Sequence, residues 1–373
     1  MVVTQYSNSP WEKKLAFYLL SRPGIGRRTV HAVLTHISEK QIKPDMIRSQ
    51  LLLHSTLQSI FIKNDISIDI NEIENFFNSK NDQYESQGIS VIFISEKEYP
   101  PSLLTIEDPP VFLFCKGDAS LLQTPGVGVV GTRKITAYGR FVTEKITREL
   151  VLDGISTVSG CMYGVDEVVH KVTLENNGAT IAVLGYGFNK VYPARMQPLL
   201  DRIIQNGGAV VSEYFPEDEP IPAYFVARNR IIAGLSHSVI VTEAAQKSGS
   251  HGTALFATTN GRAVFAVPGP ISNPYSEGTK WLVNQGATLI SSGFEVGSYL
   301  GLESNLSQAE TSKTISDDSK MEEKIVEYVT SGPASVEMLV AELNCSISDV
   351  LVALSALELQ GRLVKDGILW YPR

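Results

Sequence analysis

The sequence predicts an α/β protein whose centre is a doubly wound, mostly parallel sheet, set between a small N-terminal helical module and a C-terminal winged helix. Three observations lead there. Between about Thr124 and Leu302, short β-branched runs alternate with glycine-bearing loops and amphipathic stretches. Those runs lack the strict alternation of half-exposed strands, as parallel strands covered on both faces do. The chain has 373 residues, 43% hydrophobic and 19% charged, enough for two or three domains of ordinary soluble composition.

Each element follows in chain order. In "LAFYLLSRPGIGRRTVHAVL", apolar positions recur at helical spacing on both sides of "PGIG". This is the helix-hairpin-helix pattern, in which turn amides and a helix N-terminus touch a DNA phosphate, and Arg27 and Arg28 suit that role. A tight interhelical turn built on Pro23, Gly24 and Gly26 explains the same residues and carries more weight. "ISVIFISEKEYPPSLL" reads as a strand and a loop. Six central strands are expected at Val127–Val130, Ser156–Val158, Thr180–Leu184, Ala209–Val211, Ser238–Val241 and Ala263–Val267. Between them, segments such as "YGRFVTEKITRELVL" place Tyr138, Phe141, Val142, Ile146 and Leu150 on one helical stripe. In such a sheet the ligand sits outside the carboxyl ends of the strands. The polar stretch from Glu303 to about Lys320 reads as a linker. Three helical segments and the hairpin "GRLVKDGILWYPR" then suit a winged helix. The expected segments are 1–85, 86–302, 303–320 and 321–373.

The formal net charge of −8 at first argues against a nucleic-acid partner, but its distribution points the other way. Residues 124–300 hold 14 basic and 14 acidic residues, so the flanks carry the whole excess. From Pro220 to Ser276 the sole acid is Glu243, against Arg228, Arg230, Lys247 and Arg262. A local field of that sign attracts a polyanion. The tail has few basic residues, which points it toward a protein partner or a structural role. Three scattered cysteines, Cys115, Cys161 and Cys345, suggest neither disulfides nor a zinc site, which favours a reducing cytoplasm. No signal peptide and no membrane span are expected.

"GVGVVGTRKITAYGR" spells G-x-G-x-x-G with Gly126, Gly128 and Gly131, the fingerprint of a dinucleotide-binding turn. Context defeats the spelling. Gly126 and Gly128 fall before or within the strand, and the next strand ends on Ser159 and Gly160 instead of an acid. The loops after the strands offer something else: Gly131-Thr132-Arg133-Lys134, Ser159-Gly160, the run from Gly185 through Lys190 to Tyr192, the segment holding Arg228 and Asn229, and Ser248-Gly249-Ser250. Small residues let a chain approach phosphate oxygens, helix N-terminal amides bind them, and Phe188 or Tyr192 offers a ring to a base.

The same residues carry a resemblance. "VGVVGTRKITAYG", "TVSGCMYGVDEVVH", "TIAVLGYGFNKVYP", "VVSEYFP", "FVARNRIIAGLSHSVIVTEAAQKSGSHGTALFA" and "GRAVFAVPG" occur in the order and spacing of the DNA processing protein A family (DprA, also called Smf). The match covers nearly all of residues 124–290 and extends into "PGIG" and the tail. The resemblance implies an extended Rossmann-like domain with a SAM-like N-terminal module. It further implies binding of single-stranded DNA, a homodimer, and loading of the RecA recombinase in natural transformation, without catalysis or a cofactor. The family's phosphate loop falls on Gly131, Thr132 and Arg133, and its basic residue after the third strand on Lys190, with Tyr192 nearby. Two departures stand out: Cys161-Met162-Tyr163 replaces smaller residues, and Gly278-Thr279-Lys280 stands where an asparagine is usual.

The expected DNA-binding set is therefore Gly131, Thr132, Arg133, Lys134, Ser159, Gly160, Lys190, Tyr192, Arg228, Asn229, Ser248, Gly249 and Ser250, with no catalytic residue and no metal. Several members have a second explanation. Arg228 and Arg230, at an expected helix start, either meet DNA or pair with Asp166, Glu213 or Glu243, and the structural role is favoured. His170 reads as a helix histidine packed beside Asp166 in preference to a base. Ser248 and Ser250 read as amide-bearing loop residues and not nucleophiles. The competing function is a nucleotide-processing enzyme of the phosphoribohydrolase type on a similar fold. "SGSHGTALFA" keeps that class's Gly-Thr but lacks its catalytic glutamate.

Overall fold

The apolar β-branched runs pair as the interior of one nine-stranded sheet. Its strands are β1 (Ser90–Phe93), β2 (Phe112–Gly117), β3 (Gly126–Val130), β4 (Ser156–Ser159), β5 (Thr180–Val183), β6 (Ala209–Ser212), β7 (Ser238–Val241), β8 (Ala263–Ala266) and β9 (Thr288–Leu289). Their spatial order is β1-β2-β6-β5-β4-β3-β7-β8-β9. The seven strands from β6 to β9 are mutually parallel, while β2 joins β6, and β1 joins β2, antiparallel. The six expected strands are all present, each within a residue of its expected ends.

Chain order reverses at β3. From β3 to β6 the strands are added on one side, and the chain then returns to lay β7 against the other side of β3. This is a topological switch point, so the crevice outside the carboxyl ends of β3 and β7 is where the sheet opens to a ligand.

The computed structural model describes residues 9–46, 58, 69–124, 126–301, 321–330, 332–343, 345–366 and 369–372. The chain forms two compact units, Met1–Leu302 and Glu303–Arg373. The linker expected over 303–320 lies outside the described residues.

In the first unit the helices are α1 (Pro10–Leu20), α2 (Arg27–Lys40), α3 (Ile70–Glu85), α4 (Ala137–Leu152), α5 (Val165–Glu175), α6 (Gln197–Gln205), α7 (Pro222–Leu235), α8 (Ser250–Thr259), α9 (Glu277–Asn284) and α10 (Phe294–Tyr299). On α4 the core stripe is Val142, Ile146 and Leu150, at i, i+4 and i+8, while Phe141 stands 63% exposed. Tyr138 is 36% exposed as well, so the expected stripe is two residues too wide. The helix carrying Arg228 starts at Pro222, not near Asn229, because Pro222 sits in the first turn where its missing N–H has no intrahelical acceptor. Both arginines are therefore mid-helix.

The helical module joins the antiparallel edge of the sheet through aromatic rings. Phe17 of α1 is fully buried and meets Phe77 at 5.1 Å between centroids, Phe112 at 5.4 Å and Phe215 at 5.0 Å. The Phe77 and Phe215 contacts are edge-on, and each adds about 0.5–1.5 kcal/mol to the burial itself.

The second unit holds α11 (321–330), β10 (Ala334–Ser335), α12 (Val336–Leu343), α13 (Ile347–Leu359), β11 (Leu363–Asp366) and β12 (Leu369–Pro372). Its small sheet runs β10-β12-β11 over a core of Ile325, Leu339, Leu354 and Trp370. Three helices followed by a hairpin make a winged helix. No single described helix is long and apolar enough to cross a membrane.

Candidate nucleic-acid interface

The loop after β3 is held from below by the loop after β7. The Thr132 N–H donates to the Glu243 carbonyl at 2.7 Å, and the Lys134 N–H donates to Thr132 Oγ1 at 3.1 Å. Gly131 is required by the same contact, since a Cβ there would lie 2.7 Å from the Glu243 carbonyl oxygen and 2.6 Å from Val165. Glu243 also fixes the next helix. Its carboxylate accepts from the Thr136 N–H (2.9 Å), the Thr136 hydroxyl (2.6 Å) and Asn273 Nδ2 (3.0 Å). Thr136 in turn caps α4, its Oγ1 accepting from the Gly139 N–H. Thr132 is thereby buried in the scaffold, while Arg133 and Lys134 project into solvent. Among the described residues no carboxylate lies within ion-pair distance of either.

The loop after β4 is not a surface. Ser159 is fully buried and donates to the Val129 carbonyl at 2.7 Å. Arg228, 3% exposed, lies beneath Gly160: its Nη1 donates to the Gly160 carbonyl at 2.7 Å and to the Val183 carbonyl. A guanidinium so placed supports the turn and leaves only 3% of the residue exposed, on the floor of the crevice, which favours the structural alternative for Arg228. Asp166 shares this floor. Burial raises its carboxyl above the ordinary carboxylate range, against the pull of the Arg228 charge. Arg230 pairs with Glu213 and stands 3.5 Å from Asp108. His170 is buried too, and its partner is Thr180 (Nδ1 to Oγ1, 2.8 Å), not the Asp166 expected beside it. Burial and the Arg228 charge push that imidazole down to about 3, so it is neutral at pH 7.

The loop after β5 brings charge and a ring. Lys190 reaches the rim but is held by Glu219 at 2.6 Å. Tyr192, 47% exposed, packs on Phe225 of α7 with centroids 5.9 Å apart, and the Arg133 guanidinium lies 5.7 Å from the same Phe225 ring. Across the crevice α8 begins. Its first turn is shaped by Ser248 and Ser250, whose hydroxyls share a 2.8 Å hydrogen bond, and Asn229 Nδ2 donates to the Gly249 carbonyl at 3.3 Å. His251 turns instead to the Trp281 ring, 5.1 Å away.

These groups enclose a cleft of about 600 Å³ at the switch point. Gly131, Arg133 and Tyr192 form one wall, Ser248, Gly249 and Ser250 another, with Arg228 and Asn229 below. Thr132, Lys134, Ser159, Gly160 and Lys190 do not line it: Thr132, Ser159 and Gly160 are scaffold, and the two lysines stand outside its walls. Phe225 and Glu243 were not among the expected site residues. Helical spacing from Asn229 and Ile232 puts Phe225 on their face once the helix is known to start at Pro222. Nothing local marks Glu243, because its role is to join two loops distant in sequence.

Residues 90–300 match the model of the family described as DNA recombination-mediator protein A. The chain belongs to that family. Residues 309–366 match the DprA winged helix domain as well. Among relatives of this recombination-mediator family, the DNA processing protein DprA of Bacillus subtilis is 43% identical over 224 residues, 59% of this chain and 75% of that protein. Protein Smf of Escherichia coli is 46% identical over 199 residues, about half of each chain (53%). The structure of DprA from Streptococcus pneumoniae superposes with a TM-score of 0.61 at 33% identity, covering 76% of this chain and 96% of that one. A structure of DNA processing protein A from Helicobacter pylori, solved for its single-stranded DNA binding mode, gives 0.51 at 33% identity, covering 57% and 95%.

Proposed function

We propose that this chain binds single-stranded DNA across the switch-point cleft and acts, without catalysis, as a recombination mediator. One observation carries the reading. At the mouth of a nucleotide-sized crevice stand two cations, Arg133 and Lys134, without carboxylate partners among the described residues. Arg133 lines the crevice with the first turn of α8 and lies 5.7 Å from the Phe225 ring of the Tyr192–Phe225 pair, while Lys134 is exposed next to it in the chain, outside the crevice walls. Phosphates are drawn by the cations, bases stack on the rings, and the hydroxyls of Ser248 and Ser250 at the first turn of α8 add neutral polar groups. The family and the DNA-binding relative support it. From the family resemblance we further propose a role in loading RecA during natural transformation, as a cytoplasmic homodimer with segments 1–85, 86–302, 303–320 and 321–373.

The test is fluorescence anisotropy with a labelled mixed-sequence single strand. Arg133→Ala is expected to weaken binding by about ten- to hundredfold, the effect of losing one charge-assisted contact of about 1.5–3 kcal/mol. Unchanged affinity at moderate salt would sink the site. Incubation with AMP separates the alternative, since a phosphoribohydrolase would release adenine.

A further inference from the structure

A second cleft, of about 510 Å³, lies on the other face of α7. Phe225, Arg228 and Ile232 face the first cleft, whereas Ala227 and Arg230 face the second, as the 100° per residue of a helix requires. Its remaining walls come from the face of α2 bearing Arg28 and His31, from the end of α8, and from the Glu107–Pro109 segment.

Three guanidiniums meet there. Arg27 Nε donates to Asp108 Oδ2 at 2.6 Å, and Arg230 approaches the same oxygen at 3.5 Å while bonding Glu213. One carboxylate oxygen thus serves two arginines. Arg230 is 3% exposed, and its Nη1 has no acceptor among the described residues. A buried N–H left without a partner costs about 1–3 kcal/mol, more when charged. Arg28 is exposed and has no carboxylate within ion-pair distance among the described residues. The acids on this cleft are Asp108, already engaged, and Glu107, exposed at its edge, with Glu213 engaged behind Arg230. Arg27 and Arg28 also open α2, so their backbone amides have no intrahelical acceptor.

We propose that this second cleft binds a phosphate group, with Arg28 and Arg230 as its charged donors and the first turn of α2 supplying backbone N–H groups. The volume suits a mononucleotide, within the roughly 300–1,000 Å³ range of small-ligand sites. The phosphate belongs either to a free nucleotide or to a polynucleotide strand that continues past the first cleft.

Calorimetric titration of the full chain with inorganic phosphate, dTMP and a short oligothymidylate tests this. Removing Arg230 risks the fold, because Glu213 would be left buried and unpaired. The variants are therefore Arg28→Glu, which reverses an exposed charge, and Ala227→Trp, which fills the cleft. If the source is a free nucleotide, Arg28→Glu weakens phosphate and dTMP by at least about tenfold through loss of a charge-assisted contact, Ala227→Trp weakens dTMP by occupying its space, and Arg133→Ala changes neither. If the source is a strand, dTMP binds negligibly, and Arg28→Glu weakens the oligonucleotide further in the Arg133→Ala background. The proposal is overturned if neither Arg28→Glu nor Ala227→Trp weakens any of the three, or if none of the three binds.

Discussion

Arg228 and Arg230 are two positions apart on one helix, and in the sequence they share the same pair of possible roles. Only the fold separates them: one guanidinium lies under Gly160, the other between Glu213 and Asp108. Side-chain direction within a helix depends on where the helix starts, which is why this distinction is not legible in the sequence. Arg133 is legible, because a basic residue directly after a strand-ending glycine has few other places to go. Lys190 is legible in position but not in state. Its pairing with Glu219 at 2.6 Å, both partly exposed, makes Glu219 a competitor for the phosphate. Exposed pairs are worth about 0–1 kcal/mol, so Glu219→Gln is expected to tighten single-strand binding by about two- to fivefold at low salt. Anisotropy in the Lys190→Ala background should show no such gain. Asp153 offers a stability test. Both its carboxylate oxygens are buried without hydrogen-bond partners among the described residues, and burial, with Glu149 nearby, raises its carboxyl above the usual carboxylate range. A raised folded-state value means the penalty is present above that value and vanishes below the unfolded one, near about 3.9. Asp153→Asn should raise the melting temperature at pH 7, and the gain should disappear as the pH falls toward 4; a gain that persists unchanged there would refute the assignment.

Elements differ in how plainly the sequence declares them. The six central strands are β-branched runs bounded by glycine, and they appear within a residue of where periodicity puts them. β2 is different. Phe112–Gly117 is an aromatic run whose antiparallel pairing with β6 depends on a partner nearly a hundred residues away. β9 has two residues and no pattern to read. The start of α4 is a local matter and therefore testable by itself. Thr136 caps the helix through Gly139 and also bonds Glu243, so its hydroxyl serves both the element and the loop above. Thr136→Ala should lower unfolding free energy by about 1–2 kcal/mol in urea titrations, the range of a lost N-cap. Single-strand affinity should fall with it, because the Arg133 loop loses part of its anchor. A stability change without any change in affinity would mean that the two are uncoupled.

At the scale of the whole molecule, the proposed function asks a chain with a formal charge of −8 to hold a polyanion. The acid excess lies outside residues 124–300, so the cleft works in a locally balanced field. In the proposed binding mode three cations, Arg133 on the wall and Lys134 and Lys190 outside it, the last freed from Glu219, would replace counterions. The logarithm of the binding constant should then fall against the logarithm of salt with a slope of about −2, from about −0.7 per contact on a single strand. Arg133→Ala should make that slope shallower by about 0.7, for the same reason. A slope near zero would place the strand elsewhere.

One element belongs to both clefts. Because α7 is the partition between them, neither face can be altered in private: a shift that reseats Arg228 carries Arg230 with it. Paired variants drawn from opposite faces would depart from the sum of their single effects, as contacting residues do and distant ones do not.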